Sequence, residues 1–145
     1  MNVRAFGLAP EAAAPYEPKF VAPKANPDIV LLSSTGVRFE AHQTYLAAAS
    51  VLLETMLLDV RQPEAEGLPE VQMSESTFLL DCLLCHSYAS LTWSFDGQDF
   101  DTLIEIMACA DKFAHPRLMA SSAQALISLI AGMELRRQVS WSSPM

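Results

Sequence analysis

Asp28 to Ser50 read DIVLLSSTGVRFEAHQTYLAAAS, and this segment sets the expectation for the whole architecture. It begins with an aliphatic run, Ile29 to Leu32, and a polar turn separates that run from Val37 to Glu40. Apolar and polar residues alternate in the second run, which is typical of a half-buried strand. The residues that follow change to helical spacing, and the final serine is placed to cap a second helix, Val51 to Leu58. We therefore expect a β-hairpin that leads directly into two short helices.

The remainder of the chain supplies one more strand and three more helices. Leu68 to Met73 has the apolar content of a third strand, and Ser74 or Ser76 can cap the helix after it. Asp99 is placed to cap a fourth helix, and Pro116 can open a final helix that runs to about Ile130. The predicted fold is α+β, with a three-stranded sheet covered by about five helices. The strands are expected at 28–33, 37–41 and 68–73.

Composition excludes several classes of function. The chain has 145 residues, of which 51% are hydrophobic, and a net charge of −8. These values suit one domain with a sizeable core, and no basic patch larger than Arg136-Arg137 points to nucleic acid. We see no secretory signal, and no run long enough to span a membrane, since Asp81 interrupts the apolar segment around it. Three cysteines, an odd number, indicate reduced thiols and an intracellular protein of the cytoplasm or nucleus.

One motif suggests a cofactor. Cys82-Leu-Leu-Cys85-His86 has the C-x-x-C-H form of a haem attachment site, and its three side chains would share one helix face. The motif lies inside an apolar helix, where small cysteines are common core residues. Zinc would need a fourth ligand, and neither Cys109 nor His115 has paired spacing. We predict no cofactor and keep a haem or metal protein as an alternative.

The sequence also lacks the material of an enzyme. It contains no G-x-S-x-G, no H-E-x-x-H and no glycine-rich phosphate loop, and only five glycines in total. His42 stands at the start of a helix, where a partly buried imidazole bonded to backbone is the simplest interpretation. We predict a non-enzymatic protein without a small-molecule substrate.

Several residues of the opening segment resemble those at the start of a BTB/POZ domain. The shared pattern is D-I-V-L…G-V-x-F-x-A-H-x-x-x-L-A-A-x-S…M, and A-D-K-F at Ala110–Phe113 extends it. Its matching positions are Asp28, Val30, Phe39, Ala41, His42, Leu46, Ser50 and Met56. The resemblance covers about residues 28–130, and the long loop before the third strand is most similar to fungal members. It implies a protein–protein interaction module that forms a homodimer.

The resemblance also defines the expected organisation of the chain. Residues 1–27, rich in proline and alanine, are predicted to be an arm or linker, and 131–145 a short frayed tail. Phe20 and Val21 are the apolar exception in the arm. They suggest a piece, Lys19–Ala22, that adds a strand to a partner's sheet, as an N-terminal segment does in some dimers of the family.

Two surfaces are expected to contact protein partners. Thr44, Tyr45 and Ala48 on the first helix would form the homodimer contact together with the arm. Leu57, Leu58 and Val60 would form an apolar ledge for a cullin scaffold, which makes a ubiquitin-ligase adaptor the alternative function.

At two positions the sequence departs from the family pattern. Gln43 stands where the family has a basic residue that faces the acidic residue at position 28. Gln62 stands in place of the glutamate of the cullin-binding motif. Both replacements remove a charge, so the partners that depend on those charges are in doubt.

Overall fold

The computed structural model describes the backbone of residues 16–58 and 67–142, and side chains within these ranges as far as Arg137. Two strands are followed by two helices, and a third strand is followed by three more helices. The predicted α+β fold is confirmed. The elements are β1 (Ile29–Leu32), β2 (Arg38–Ala41), α1 (Gln43–Ala49), α2 (Val51–Leu57), β3 (Glu70–Gln72), α3 (Thr77–Ser87), α4 (Phe100–Lys112) and α5 (Pro116–Ser142).

The sheet has the order β2-β1-β3, with β1 at the centre. β1 pairs antiparallel with β2, where Leu31 faces Phe39, and parallel with β3, where Leu31 faces Val71. A central strand is covered on both faces, which explains the uninterrupted aliphatic run of β1. β2 lies at an edge, and its burial alternates residue by residue as the sequence predicts.

Ser50 joins three helices at one buried point. Its backbone N–H bonds the Leu46 carbonyl at the end of α1, and its hydroxyl accepts from the Leu53 N–H at 3.0 Å, which caps α2. The same hydroxyl donates to the Phe113 carbonyl at 2.6 Å, at the end of α4. The predicted cap is confirmed, and the third contact explains why a buried serine is needed there.

α3 is the core helix. All of its residues from Leu80 to Ser87 are buried, and α1, α4 and α5 contact it from different sides. The sheet covers the same core through Ile29, Leu31 and Phe39. A helix covered on every side is apolar on most of its surface, so α3 has no clear amphipathic stripe in the sequence.

α5 is much longer than predicted. The expected end near Ile130 and the frayed tail 131–145 are wrong for the described part, because the helix continues to Ser142. No proline occurs between Ile130 and Ser142, where the helix ends, and the residues from Met133 to Arg137 are good helix formers. An ion pair between Glu134 and Arg137, at 2.8 Å, adds local support.

α5 also corrects the expectation about membrane-length segments. Within the described residues, Pro116–Arg137 is one helical segment long and apolar enough to cross a bilayer by length and composition. In this structure its first half packs on the domain instead, with Leu118 and Ser122 fully buried. The sequence analysis missed the segment because it considered only uninterrupted apolar runs.

The arm differs from a free linker over the part that is described. Residues 16–27 form no helix or strand, yet Phe20 is buried in the main core and Ala22 packs against that core.

The third strand is shorter than predicted, Glu70–Gln72 instead of 68–73.

Candidate interaction surfaces and the arm anchor

Asp81, on α3, anchors the arm to the domain. Its Oδ1 accepts hydrogen bonds from the backbone N–H groups of Lys19, at 3.0 Å, and Phe20, at 2.8 Å. Its Oδ2 accepts from the Tyr16 hydroxyl at 2.6 Å and from the Trp93 indole N–H at 3.3 Å. A fully buried carboxylate is costly unless donors surround it, and four donors do so here.

The sequence analysis missed this anchor. It treated Asp81 only as an interruption of an apolar run. The available signal was the one acidic residue in a helix otherwise expected to be core, because such a residue needs partners from elsewhere in the chain. The identity of those partners depends on the tertiary fold.

Phe20 and Val21 point in opposite directions. The Phe20 ring lies 5.2 Å from the Tyr88 ring and 6.4 Å from the Phe39 ring, within the protein's own core. Val21 is 74% exposed. Of the two arm residues predicted to contact a partner, only Val21 is therefore accessible in this arrangement, and the arm forms no strand at Lys19–Ala22.

An open groove of ≈ 520 Å³ lies between the arm and β2. Phe20 and Phe39 contribute to its apolar lining, and Lys24, Arg38 and Glu40 contribute charge. β2 lines this groove and is an edge strand of the described sheet, and an edge strand is the usual place for an added strand to pair.

An aromatic cluster surrounds the anchor. The Tyr16 ring packs edge-on against Phe78 at 5.2 Å, Phe78 against Trp93 at 5.4 Å, and Trp93 against Phe95 at 5.1 Å. Burial, and then the hydrogen bond to Asp81, raise the pKa of Tyr16 well above its usual value. The hydroxyl therefore remains a donor to the carboxylate across the physiological pH range.

His42 links the arm to the end of α3. Its Nε2 donates to the Ala25 carbonyl at 2.9 Å, and its Nδ1 accepts from the Tyr88 hydroxyl at 2.8 Å. That hydroxyl in turn accepts from the His42 backbone N–H at 2.8 Å. Burial raises the pKa of Tyr88 to about 12, so its proton stays in place. The predicted buried histidine bonded to backbone is confirmed.

Asp28 and Gln43 are joined by two hydrogen bonds in place of the charged pair of the family pattern. The Asp28 carboxylate accepts from the Gln43 backbone N–H at 2.8 Å, and the Gln43 amide donates to the Asp28 carbonyl at 3.2 Å. The Asp28 carboxylate thus provides an acceptor for an N–H group at the start of α1. Gln43 brings no positive charge to Asp28, so the two residues do not reproduce the charged pair of the family pattern.

The outer face of α1 is small and flat. Thr44 and Ala48 are exposed one turn apart, and Tyr45 between them is half-buried. The Tyr45 ring stacks on Tyr88 at 4.9 Å, and the Lys24 ammonium lies 5.9 Å from its centroid. Tyr45 is therefore held rigidly before any partner arrives. The structure brings Thr44, Tyr45 and Ala48 together, as expected.

The residues predicted to form the cullin ledge differ in their exposure. Leu57 is buried in the core and cannot contact a partner, which corrects its assignment. Leu58, next to it, is 78% exposed, and Val51 at the other end of α2 is also exposed. Val60 and Gln62 lie outside the described residues.

The cysteine motif belongs to the core. Cys82 and Cys85 are buried, and the His86 ring donates through Nδ1 to the Cys82 carbonyl at 2.8 Å. Burial raises the pKa of Cys85 to about 12 and that of Cys82 further, so the thiols stay protonated. A metal or haem requires thiolates or accessible thiols. Within residues 16–58 and 67–137, no three His, Cys, Asp or Glu side chains are grouped to hold a metal ion.

Comparisons with known proteins agree with the fold. The family model of the BTB/POZ domain matches residues 19–129, which is most of the chain. The chain therefore belongs to the BTB/POZ domain family, as the sequence resemblance indicated. BTB/POZ domains are protein–protein interaction modules and in general not enzymes.

A solved structure shows the same fold. The BTB domain of zebrafish PATZ1 superposes with a TM-score of 0.51 at 18% sequence identity, covering 70% of this chain and 76% of that one. No curated protein matches the sequence.

Proposed function

We propose that this protein is a non-enzymatic interaction module that forms a homodimer through α1, with the arm at the edge of the contact. The observation that supports it best is the α1 face. Thr44 and Ala48 are small and exposed, and Tyr45 between them is fixed by stacking on Tyr88. Small side chains allow the backbones of two helices to approach closely, and a rigid tyrosine loses little entropy on association.

The arm contributes to this contact from its exposed side. Lys24 lies over Tyr45, and Val21 projects into solvent beside the groove along β2. A second copy that covers α1 would also cover these residues. An interface of standard size, about 800 Å² per partner, requires such neighbouring surface because α1 has only seven residues.

Sedimentation velocity tests this proposal. We expect a dimer at tens of micromolar, and we expect Ala48→Asp to weaken it at least tenfold by placing a charge in the contact. Ser94→Asp, in an exposed loop, is the matched control and keeps the acceptor for the Asp96 N–H. A monomeric wild-type protein, or equal association of both variants, contradicts α1 as the interface.

A cullin-scaffold adaptor is the second candidate function. Leu58 supports it, because a leucine exposed to this extent directly after a helix is suited to a partner's apolar pocket. We expect Leu58→Asp to abolish capture of a purified cullin N-terminal domain, and Gln62→Glu to strengthen it by restoring the acidic contact. Capture that is unaffected by both changes contradicts this function.

We also propose an intracellular location, in the cytoplasm or nucleus. Cys82, Cys85 and Cys109 are all free and buried, and burial holds each thiol in its protonated form. Free buried thiols suit a reducing compartment. Imaging of a fluorescently tagged full-length chain tests this proposal, and secretion into the medium contradicts it.

A further inference from the structure

The end of α5 extends beyond the domain. The last core-facing residue on this helix is Leu129, and from Ile130 to Arg137 every residue except Gly132 is exposed. The segment carries three large apolar residues, Ile130, Met133 and Leu135, which are between 46% and 65% exposed. It is about two helical turns long, so it is an apolar element without a partner in this structure.

α4 presents a second uncovered apolar face. Phe100 and Ile104 are one turn apart and 44% and 43% exposed, while the opposite side of the helix packs on the core through Leu103 and Ile106. The Asp99 side chain caps α4 by accepting from the Thr102 N–H at 2.8 Å. The exposed pair is therefore carried on a firmly placed helix.

The surroundings of this α4 face are acidic. Asp101 and Glu105 follow Phe100 and Ile104 directly, and no lysine or arginine occurs between Arg61 and Lys112. Lys112 itself is bound to Glu75 at 2.6 Å. In the described part of the chain, Asp101 and Glu105 take part in no ion pair. Like charges four residues apart destabilise a helix, so α4 carries a cost that a cation from outside would relieve.

The end of α5 carries the matching charge. Arg136 and Arg137 are the only adjacent pair of cations in the sequence, and they directly follow Leu135. The Arg137 guanidinium forms an ion pair with the Glu134 carboxylate at 2.8 Å. Arg136 is therefore the net positive charge of the segment. An exposed apolar segment that ends in arginines thus occurs on the same molecule as an exposed apolar pair bordered by carboxylates.

We propose that the end of α5, Ile130 to Arg137, docks on the Phe100–Ile104 face of α4 in a second copy of this chain. The contact is reciprocal about a two-fold axis, so each copy contributes one α5 end and one α4 face. Apolar residues form its centre, and the arginines lie beside Asp101 and Glu105 at its rim. This interface is distinct from the α1 contact, and together the two would link dimers into larger assemblies.

The test uses the full chain with Ala48→Asp in place, so that association through α1 is weakened, and the charge variants of α5 and α4 then show which contact forms the dimer that remains. Sedimentation velocity of this protein is expected to show a residual dimer at about 100 μM that dissociates as salt is raised. Arg136→Glu with Arg137→Glu is expected to weaken this dimer at least tenfold. Adding Asp101→Lys and Glu105→Lys to the same chain is expected to restore it, because the two charge signs are then exchanged.

Three controls keep the proposal falsifiable. Arg117→Glu reverses one charge, half of the change in the double variant, at the exposed start of α5 and is expected to leave the dimer intact. Leu135→Ser tests the apolar centre without a charge change and is expected to weaken the dimer. Circular dichroism verifies that each variant keeps its helix content. A monomeric Ala48→Asp protein at this concentration, or charge reversal without loss and recovery, overturns the proposal and shows that something other than a second copy covers α5. Neither result bears on whether α1 dimerises the wild-type chain.

Discussion

The arm and the end of α5 differ in how firmly buried contacts hold them on the domain. The arm has no regular secondary structure, yet Asp81 and the Phe20 pocket hold it firmly on the domain. α5 is the longest helix in the described structure, yet its residues from Ile130 to Arg137 are exposed, with the exception of Gly132. Regular structure is therefore no measure of how tightly a segment is held; the buried contacts of its side chains are.

The largest expected difference between these regions is in apolar burial. Phe20→Ala removes a ring from the core and should lower the free energy of unfolding by about 3–4 kcal/mol. Ile130→Ala, on the α5 end, should change it by less than about 0.5 kcal/mol. Urea denaturation followed by circular dichroism measures both. Equal losses would show that the α5 end is packed in solution, which would remove the contrast.

Asp81→Ala should cost slightly less, about 3 kcal/mol, because it leaves two backbone N–H groups, a hydroxyl and an indole N–H without their acceptor. Asp81→Asn keeps one carbonyl oxygen for the backbone donors and should lose about half as much. The comparison pair is Glu134→Ala, whose exposed ion pair is worth little. Amide hydrogen exchange at Lys19 and Phe20 should accelerate in the Asp81 variants only.

His115 gives the α4–α5 corner a pH dependence. Burial, and then the nearby His86, lower the pKa of His115 to about 4, whereas an unfolded histidine titrates near 6.5. The unfolded chain therefore binds this proton first as pH falls. The corresponding stability, up to about 3 kcal/mol, is complete above pH 6.5 and is lost between pH 6.5 and 4. His86, whose pKa is also lowered by burial, adds a loss of the same sign.

Replacement of His115 isolates its share of this loss. The His115 Nδ1 accepts from the Leu118 N–H at 3.1 Å, and an asparagine can cap α5 in the same way without titrating. His115→Asn should therefore flatten most of the decline between pH 6.5 and 4 in urea denaturation curves. An unchanged decline would assign the pH dependence to other groups.

The smallest expected effect compares two serine caps. Ser50→Ala removes both the α2 cap and the buried bond to the Phe113 carbonyl and should cost about 2 kcal/mol. Ser76→Ala removes only the α3 cap, at 3.2 Å from the Leu79 N–H, and should cost about 0.5–1 kcal/mol. Thermal unfolding resolves the difference, and similar losses would mean that the Phe113 contact adds nothing.

The elements that depend on residues close together in the chain could be predicted from the sequence. The hairpin, the α1–α2 pair and the Ser50 cap follow from alternation and spacing within residues 28–58, and all are present. Asp81 could not be assigned because its donors lie 61 to 65 residues earlier and 12 residues later. Leu57 and Leu58 show the same limit: both are leucines at the end of a helix, and only the fold decides that one is buried.

Trp93 turns the arm anchor into an optical probe. Its indole N–H points at the Asp81 carboxylate, at 3.3 Å, which also holds Tyr16 and the arm backbone. Charge at that end of an indole shifts its emission, so departure of the arm should change the fluorescence colour of the native protein. With Trp141→Phe to leave a single tryptophan, and excitation at a wavelength that tyrosine does not absorb, emission spectra would report arm detachment in real time without an attached dye.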